Sequence, residues 1–393
     1  MNEKSVLIIG AGPVGLSLAV ALINKGIKVE VYEEGATLNN EIRASTFHAK
    51  TLEMMDQWGV IDDVLANGNR VEKLQYWDRQ QKKLVANFDY SILKDTTKFP
   101  FRLQCPQHIY TRTIAPRVED SPLSTIHYGH KLVRFEEANH GIHAWFQTEK
   151  GLVKKEGIYL CAADGADSTV RKFLNLDFSG MTYEDRFLLI GTQVDMNKIY
   201  PGMGPVNYIF DPEEWVIILN LINLTRIVFQ VPQGESNETA LSDSSISRRM
   251  DRFLEGRVPW EPLSRSIYRV HQRVAETFRV GRALLLGDAA HINNPASGMG
   301  MNSGIHDAWD LATSIEQVLT GKGDEVLNQY SERRRSYALE SIKTYTAKRF
   351  ADLGAKDPEA QKKRNSELSN TAQNPQLAKQ YLMRASMLDM EVQ

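Results

Sequence analysis

Val6-Leu7-Ile8-Ile9-Gly10-Ala11-Gly12-Pro13-Val14-Gly15 carries four apolar residues straight into three glycines at GxGxxG spacing. A short, wholly apolar run rich in β-branched residues predicts a parallel strand buried on both faces. Beyond the glycines, Leu16, Ala19, Leu22 and Ile23 recur at helical spacing, and Gly26 ends the run where a C-terminal glycine belongs. Val29 to Glu33 supplies a second strand. Residues 5–33 thus form a βαβ unit with Glu33 at its far end, 23 residues after Gly10.

Each part of the unit has a physical task. Gly10 permits the tight turn, Gly12 lets a pyrophosphate approach the backbone, and Gly15 lets helix and strand pack closely. The helix start offers unbonded N–H groups and a positive dipole end to the phosphates. Glu33 is placed to accept hydroxyls of an adenosine ribose, so a dinucleotide is the expected ligand.

Composition narrows the class. Lys and Arg number 47 against 49 Asp and Glu, a net charge of −2, so the chain lacks the basic field that a nucleic-acid partner requires. Cys105 and Cys161 form no CxxC pair, which argues against a zinc site and a disulfide reductase and points to a reducing compartment. The apolar stretch from Ser5 to Ile23 is broken by Gly10, Gly12, Pro13 and Gly15, and no segment has the unbroken apolar length of a membrane span. A cytoplasmic chain that does not enter a membrane is expected. His127/His130 and His140/His143 have metal-like spacing, but a strand-and-loop setting without a thiol speaks against a metal.

Two later stretches repeat the strand-then-glycine theme: Ile158 to Ala163 running into Asp164-Gly165, and Ala283 to Leu286 running into Gly287-Asp288. Between them, strand-like runs at Leu188 to Val194, Asn207 to Phe210, Trp215 to Leu221 and Ile227 to Val231 predict a second sheet, mostly antiparallel. The segment 71–100, with Tyr76, Trp77, Leu84 and Phe88, has the same character. A helix is predicted over Ser303 to Leu319, and a helical stripe of Leu377, Tyr381, Ala385 and Leu388 marks the polar tail. The predicted fold is α/β: a Rossmann-like nucleotide-binding domain (residues 1–70, 101–180 and 270–350), a second, mostly antiparallel β-sheet substrate domain (71–100 and 181–269) and a C-terminal helical extension (351–393).

Taken together, Gly10 to Gly15 with Glu33, Asp164-Gly165-Ala166-Asp167-Ser168-Thr169-Val170-Arg171, and Gly287-Asp288-Ala289-Ala290-His291 followed by Pro295, Gly298, Gly300 and Asn302, closely resemble the group A flavoprotein monooxygenases of the para-hydroxybenzoate hydroxylase type. The likeness spans residues 5 to about 340 in the family's order. It implies FAD as cofactor and NAD(P)H as transient co-substrate, with oxygen transferred from a flavin C4a-hydroperoxide to a small aromatic or heteroaromatic substrate. By the same resemblance Asp288 holds the ribityl chain and Asp164 lies near the pyrophosphate and the nicotinamide route. Arg43 and Gln107 contact the pyrophosphate and ribityl side, and the stretch at Pro295 lies beside the isoalloxazine ring. Residue chemistry agrees: the glycine turn Ser297 to Asn302, opening a long helix, offers N–H donors to the negative N1/C2=O edge of a reduced flavin.

Two side chains are candidates for handling a substrate proton. His48 follows Arg43 by five residues and carries an imidazole suited to base work near neutrality; Tyr208, on a sheet strand, can orient a substrate hydroxyl. His291 is expected to face the cofactor or to be structural. The run Ser331-Glu332-Arg333-Arg334-Arg335 reads as a solvated helix face, with guidance of NAD(P)H as the alternative. No second glycine fingerprint occurs, since Gly202-Met203-Gly204 lacks the third glycine. The alternatives are the same chemistry on a larger natural product such as an antibiotic or polyketide, and a non-catalytic FAD-binding module.

Overall fold

Nothing polar interrupts Val6 to Ile9, and in the computed structural model Ser5–Ile9 becomes a central strand in which Val6, Leu7 and Ile8 have no exposed surface. The residues described are 4–40, 44–293, 298–341 and 357–389, so Arg43 and Pro295 lie outside them. Parallel strands flank Ser5–Ile9 on both sides, Val29–Tyr32 on one and Gly151–Ala162 on the other. Ser124–His127 extends the sheet past Val29–Tyr32, and Ala283–Leu285 extends it past Gly151–Ala162. The register aligns the carboxyl ends, with Ile9 opposite both Tyr32 and Ala162, and Ala162 opposite Leu285. Gly10, Glu33, Asp164 and Asp288 therefore leave one edge of the sheet on four neighbouring strands, a row about 14 Å long at ordinary strand spacing.

The helix Pro13–Ile23 is buried from Gly15 to Leu22 because it packs between the sheet and the helices Gln107–Glu119 and Gly300–Leu319. The strand expected at Ile158 is longer than its apolar run. It begins at Gly151, where Gly141–Thr148 pairs antiparallel with its alternating first half, and Lys131–Ala138 pairs antiparallel with Gly141–Thr148 in turn. That three-stranded meander carries no strong apolar run, and the sequence reading did not anticipate it.

The second sheet has eight strands, in the order 291–292, 264–275, 178–192, 224–231, 216–221, 206–210, 73–78 and 83–89. All neighbours are antiparallel except Lys73–Asp78, which runs parallel to Val206–Phe210 and brings the early segment into the sheet. Alternation divides its two faces. Leu188, Ile190, Ile209, Val216, Ile218, Ile227 and Phe229 share a core with the helix Asp243–Leu254. Tyr76, Phe187, Tyr208, Phe210, Ile217 and Val228 point the other way.

The C-terminal helices Pro358–Gln373 and Pro375–Ala385 pack on that second face, the first through Leu368 and Ala372 and the second through Ala378 and Leu382. Of the predicted tail stripe, Tyr381, Ala385 and Leu388 pack inward as expected, while Leu377 is 44% exposed and the neighbouring Ala378 and Leu382 take the buried positions. Among the described residues no helix is long and apolar enough to cross a membrane.

Candidate active site

Gly10 and Gly15 are glycines because backbone crosses there. Gly10 has φ +100°, and a Cβ on it would stand 2.5 Å from the Ala163 carbonyl oxygen; a Cβ on Gly15 would stand 2.0 Å from the Gly10 carbonyl oxygen. Gly12 is the opposite case. A Cβ there would meet nothing within 4 Å, so open space lies over the start of the helix Pro13–Ile23, where first-turn N–H groups have no helical acceptor. Glu33 is pinned beside this space: its Oε2 accepts from Ala11 N and its Oε1 from Gly35 N, both at 2.9 Å. Each oxygen keeps a second lone pair for a further donor.

The other two acid turns close on the same helix. Asp164 follows Ala163 across from Gly10, and its Oδ2 accepts from Val170 N at 3.2 Å. Its Oδ1 is buried with no hydrogen-bond partner among the described residues. Burial pushes this carboxyl above its ordinary range, against the opposing donors of Ser168 and Val170. Gly287, at φ +60°, and Gly304 both pack on Val14, which a Cβ would approach to 3.1 and 2.6 Å respectively. Arg171 joins the two turns by donating through Nη1 to Ala289 O at 2.8 Å and through Nη2 to Ala166 O at 2.7 Å. Asp288 is exposed at the mouth of the groove.

A raised carboxyl pKa means that the folded chain holds a proton the unfolded chain releases. The contribution of Asp164 to stability is present below the ordinary Asp value, about 3.9, and is lost as pH rises through the raised value. Asp164→Asn is expected to flatten that loss in the FAD-free protein, read as unfolding temperature from about pH 4 upward. An unchanged slope would place the proton elsewhere.

At the start of the helix Gly300–Leu319 the pattern repeats. Gly298 has φ +66° and lies against Thr46, while a Cβ on Gly300 would again meet open space. Asn302 holds this corner together. Its Nδ2 donates to Thr46 O at 2.7 Å and Gly298 O at 2.8 Å, and its Oδ1 accepts from His48 N at 3.0 Å and Thr51 Oγ1 at 2.7 Å. The side chain is fully engaged within the protein, so Asn302 acts on the site by placing His48, which caps the helix Ala49–Gln57 and is fully buried. Gln107 opens the helix Gln107–Glu119, and its N–H donates to Ala44 O at 2.9 Å, next to the segment that holds Arg43.

Tyr208 stacks on Tyr76 at 5.2 Å on the face that the C-terminal helices cover. The same face carries Arg226, and a nearby titratable residue, His108, sits on a helix; neither has a marked position in the sequence. Arg226, 4% exposed, alternates with Ile227 and so shares the face of Val228; burial pushes its guanidinium down to about 10, with Tyr268 opposing the shift. His108, on the first turn of the helix Gln107–Glu119, is held below its ordinary range by burial and by the charges of Arg112 and Arg226. One arginine in a strand gives no periodic signal that would have marked it.

Other expectations resolve differently. The arginines of the Ser331–Arg335 run bond into the protein and do not form a wholly solvated face. Arg334 is 2% exposed and bound to Asp307, Arg333 bonds Asp310 at 2.6 Å, and Arg335 donates to Ala275 O. Its arginines bond inward, while Glu332 is exposed. Gly202 and Gly204 lie in a loop that Gln75 pins, accepting from Gly204 N at 2.6 Å. His127 bonds Glu30 at 2.9 Å and His143 pairs with Glu156 at 3.2 Å. Among the described residues no group of three or more His, Cys, Asp or Glu side chains could hold a metal ion.

A family model described as FAD binding domain matches residues 3–344. The chain is 30% identical to para-nitrophenol 4-monooxygenase of a Pseudomonas species over 98% of this chain and 95% of the relative. It is 29% identical to 6-hydroxy-3-succinoylpyridine 3-monooxygenase of Pseudomonas putida over 91% and 90%. The crystal structure of p-nitrophenol 4-monooxygenase from Pseudomonas putida superposes with a TM-score of 0.92 at 27% identity, covering 98% of both chains.

Proposed function

The chain belongs to the FAD binding domain family of flavin-dependent monooxygenases, and from that membership we propose that it uses NAD(P)H and O₂ to hydroxylate a small phenol or hydroxylated heteroaromatic ring. The observation that carries the reading is the convergence of three glycine-and-acid turns on one helix. A row about 14 Å long is too extended for a single phosphate and suits a dinucleotide. The residues fit FAD: open space over Gly12 and Gly300 at two helix starts, and a buried Asp164 oxygen that lacks a donor.

In this reading the Gly12 turn and helix start hold the pyrophosphate and Glu33 the adenosine ribose. Asp288 takes the ribityl chain, Arg43 and Gln107 the adjoining side, and the Pro295 stretch with the Gly298–Asn302 turn lies along the ring. When bound, FAD supplies the electron storage, oxygen activation and oxygen transfer. The chain's own residues enclose and orient the substrate and manage its proton.

Arg226 and His108 bear on the substrate. A desolvated guanidinium favours the anionic form of a neighbouring phenol, and a phenolate ring is richer in electrons than the phenol. Tyr208 orients the ring's hydroxyl and His48 takes or relays its proton. Small rings are favoured because the two relatives aligned over nine-tenths or more of both chains carry names of single-ring substrates.

His48→Ala is expected to lower hydroxylation about 100-fold at neutral pH, the ordinary scale of a lost general base, while FAD stays bound. Hydroxylation at the wild-type rate across the pH range would remove His48 from the mechanism. The reading as a whole is tested by a panel of nitrophenols, simple phenols and hydroxypyridines. At least one should accelerate NAD(P)H oxidation by the holoenzyme and gain one oxygen by mass spectrometry. A yellow protein that no member accelerates would overturn it.

A further inference from the structure

The turn Leu285–His291 carries Asp288, and its fixed points lie on the two helices that follow it. Gly287 N donates to Asp307 Oδ2 at 2.9 Å, and His291 Nε2 stands 2.7 Å from the same oxygen. Arg334 Nε donates to Asp307 Oδ1 at 2.6 Å, Arg334 Nη2 to Ser303 O at 3.2 Å, and Tyr330 OH to Leu285 O at 2.8 Å. Asp307 is 0% exposed, and His291 and Arg334 are each 2% exposed.

We propose that Asp307, locked by Arg334, is the positioning residue for Asp288, acting through the Gly287 N–H and the His291 ring, and that it sets how tightly the chain holds FAD. The inference rests on the FAD reading of the previous subsection.

A carboxylate suits this place because it is an acceptor only, with lone pairs for three donors arriving from different directions. Charge-assisted bonds in a dry interior are short and directional. Burial acts against the charge, yet His291 and Arg334 hold the Asp307 carboxyl well below its usual range. Position matters as much as charge. Gly287 sits at φ +60° against Val14 and Gly304, so the turn has one way to pack, and the Asp307 oxygen fixes its N–H in that arrangement. Asp288 is the next residue, and its direction follows.

The test compares two double variants of the full chain by FAD titration, read as flavin fluorescence, and by unfolding temperature. Asp307→Leu with Arg334→Met removes both charges together and leaves apolar residues of similar size, a change that buried pairs tolerate. It should fold, at a lower unfolding temperature because the buried Gly287 N–H and His291 lose their acceptor, and bind FAD at least tenfold more weakly. Asp307→Asn with Arg334→Met keeps one oxygen for Gly287 N and His291, and should bind FAD within about threefold of wild type.

Adding Asp288→Ala to the Leu/Met pair should weaken FAD no further, because both changes remove the same contact. The inference falls if the Leu/Met pair folds and holds FAD like the wild type. It also falls if the Asn/Met pair folds normally yet loses FAD tenfold, or if the Asp288→Ala effect multiplies in full. Should the Leu/Met pair not fold, the Asn/Met result still decides. A wild-type chain that takes up no FAD overturns the function reading and this inference with it, whereas tight wild-type binding alongside any of the failures above overturns this inference alone.

Discussion

Gly12→Val is expected to give a chain that folds like the wild type and carries no flavin, whereas Gly15→Val is expected to lose flavin and fold stability together. The difference lies in what each new Cβ meets. At Gly12 it enters open space from ordinary extended backbone, φ −74° and ψ −178°, so the free protein has no reason to object. A pyrophosphate seated on the helix start needs that same space. Losing two of its charged hydrogen bonds, at about 1.5–3 kcal/mol each, weakens FAD by at least about 100-fold.

At Gly15 the Cβ would lie 2.0 Å from the Gly10 carbonyl oxygen. Helix propensity favours valine over glycine there by less than about 1 kcal/mol, but the clash is with the Gly10 backbone, and overpacking costs about 1–3 kcal/mol or more. The clash wins. Flavin absorbance of the purified variants and their denaturant unfolding check both expectations, and a Gly12→Val protein that binds FAD normally would put the pyrophosphate elsewhere.

The sequence displayed this half of the molecule because its chemistry is local. Gly10, Gly12, Gly15 and Glu33 fall within one βαβ unit, and Asp164 and Asp288 each follow a strand directly, so linear spacing carries the geometry. The turn clamps were not legible. Arg171, Asp307 and Arg334 act by reaching across the fold to Ala289, Gly287 and Asp307, and nothing in their neighbours' spacing announces an inward charge. The Arg333–Arg335 run departs from expectation for that reason: charge on a helix usually faces water, and here the buried Asp310 and Asp307 draw in Arg333 and Arg334. Arg226 and His108 have no mark in the sequence because their electrostatic influence joins distant segments. In the tail stripe only Leu377 departs from expectation, because it fits helical spacing as well as Ala378 does and only the docked partner decides which is buried.

That docking gives the second large effect. Leu382→Ala is expected to cost about 2–5 kcal/mol, the range for a fully buried leucine, and to uncouple NAD(P)H oxidation from hydroxylation. Leu382 has no exposed surface and shares its core with Tyr76, Phe88, Tyr208 and Phe210. One residue earlier, Tyr381 stacks on Phe88 at 4.2 Å and its hydroxyl lies 2.5 Å from that of Tyr76, which in turn stacks on Tyr208. The helix Pro375–Ala385 therefore fixes the rings that reach Tyr208.

The same helix is anchored beyond the sheet. Ser386 O accepts from Lys50 N at 3.3 Å, two residues from His48, and Ala385 O lies 3.4 Å from Arg102 Nη2. A cavity at Leu382 loosens both ends of a wall that spans the two proposed substrate-proton residues. Water entering there would divert reducing equivalents to hydrogen peroxide. The expected result is a product yield per NAD(P)H that falls severalfold while NAD(P)H oxidation continues. Leu377→Ala, on the exposed side of the same helix, should leave stability and coupling unchanged. If Leu382→Ala lowers stability but keeps full coupling, the tail is a prop for the sheet and no part of the substrate wall.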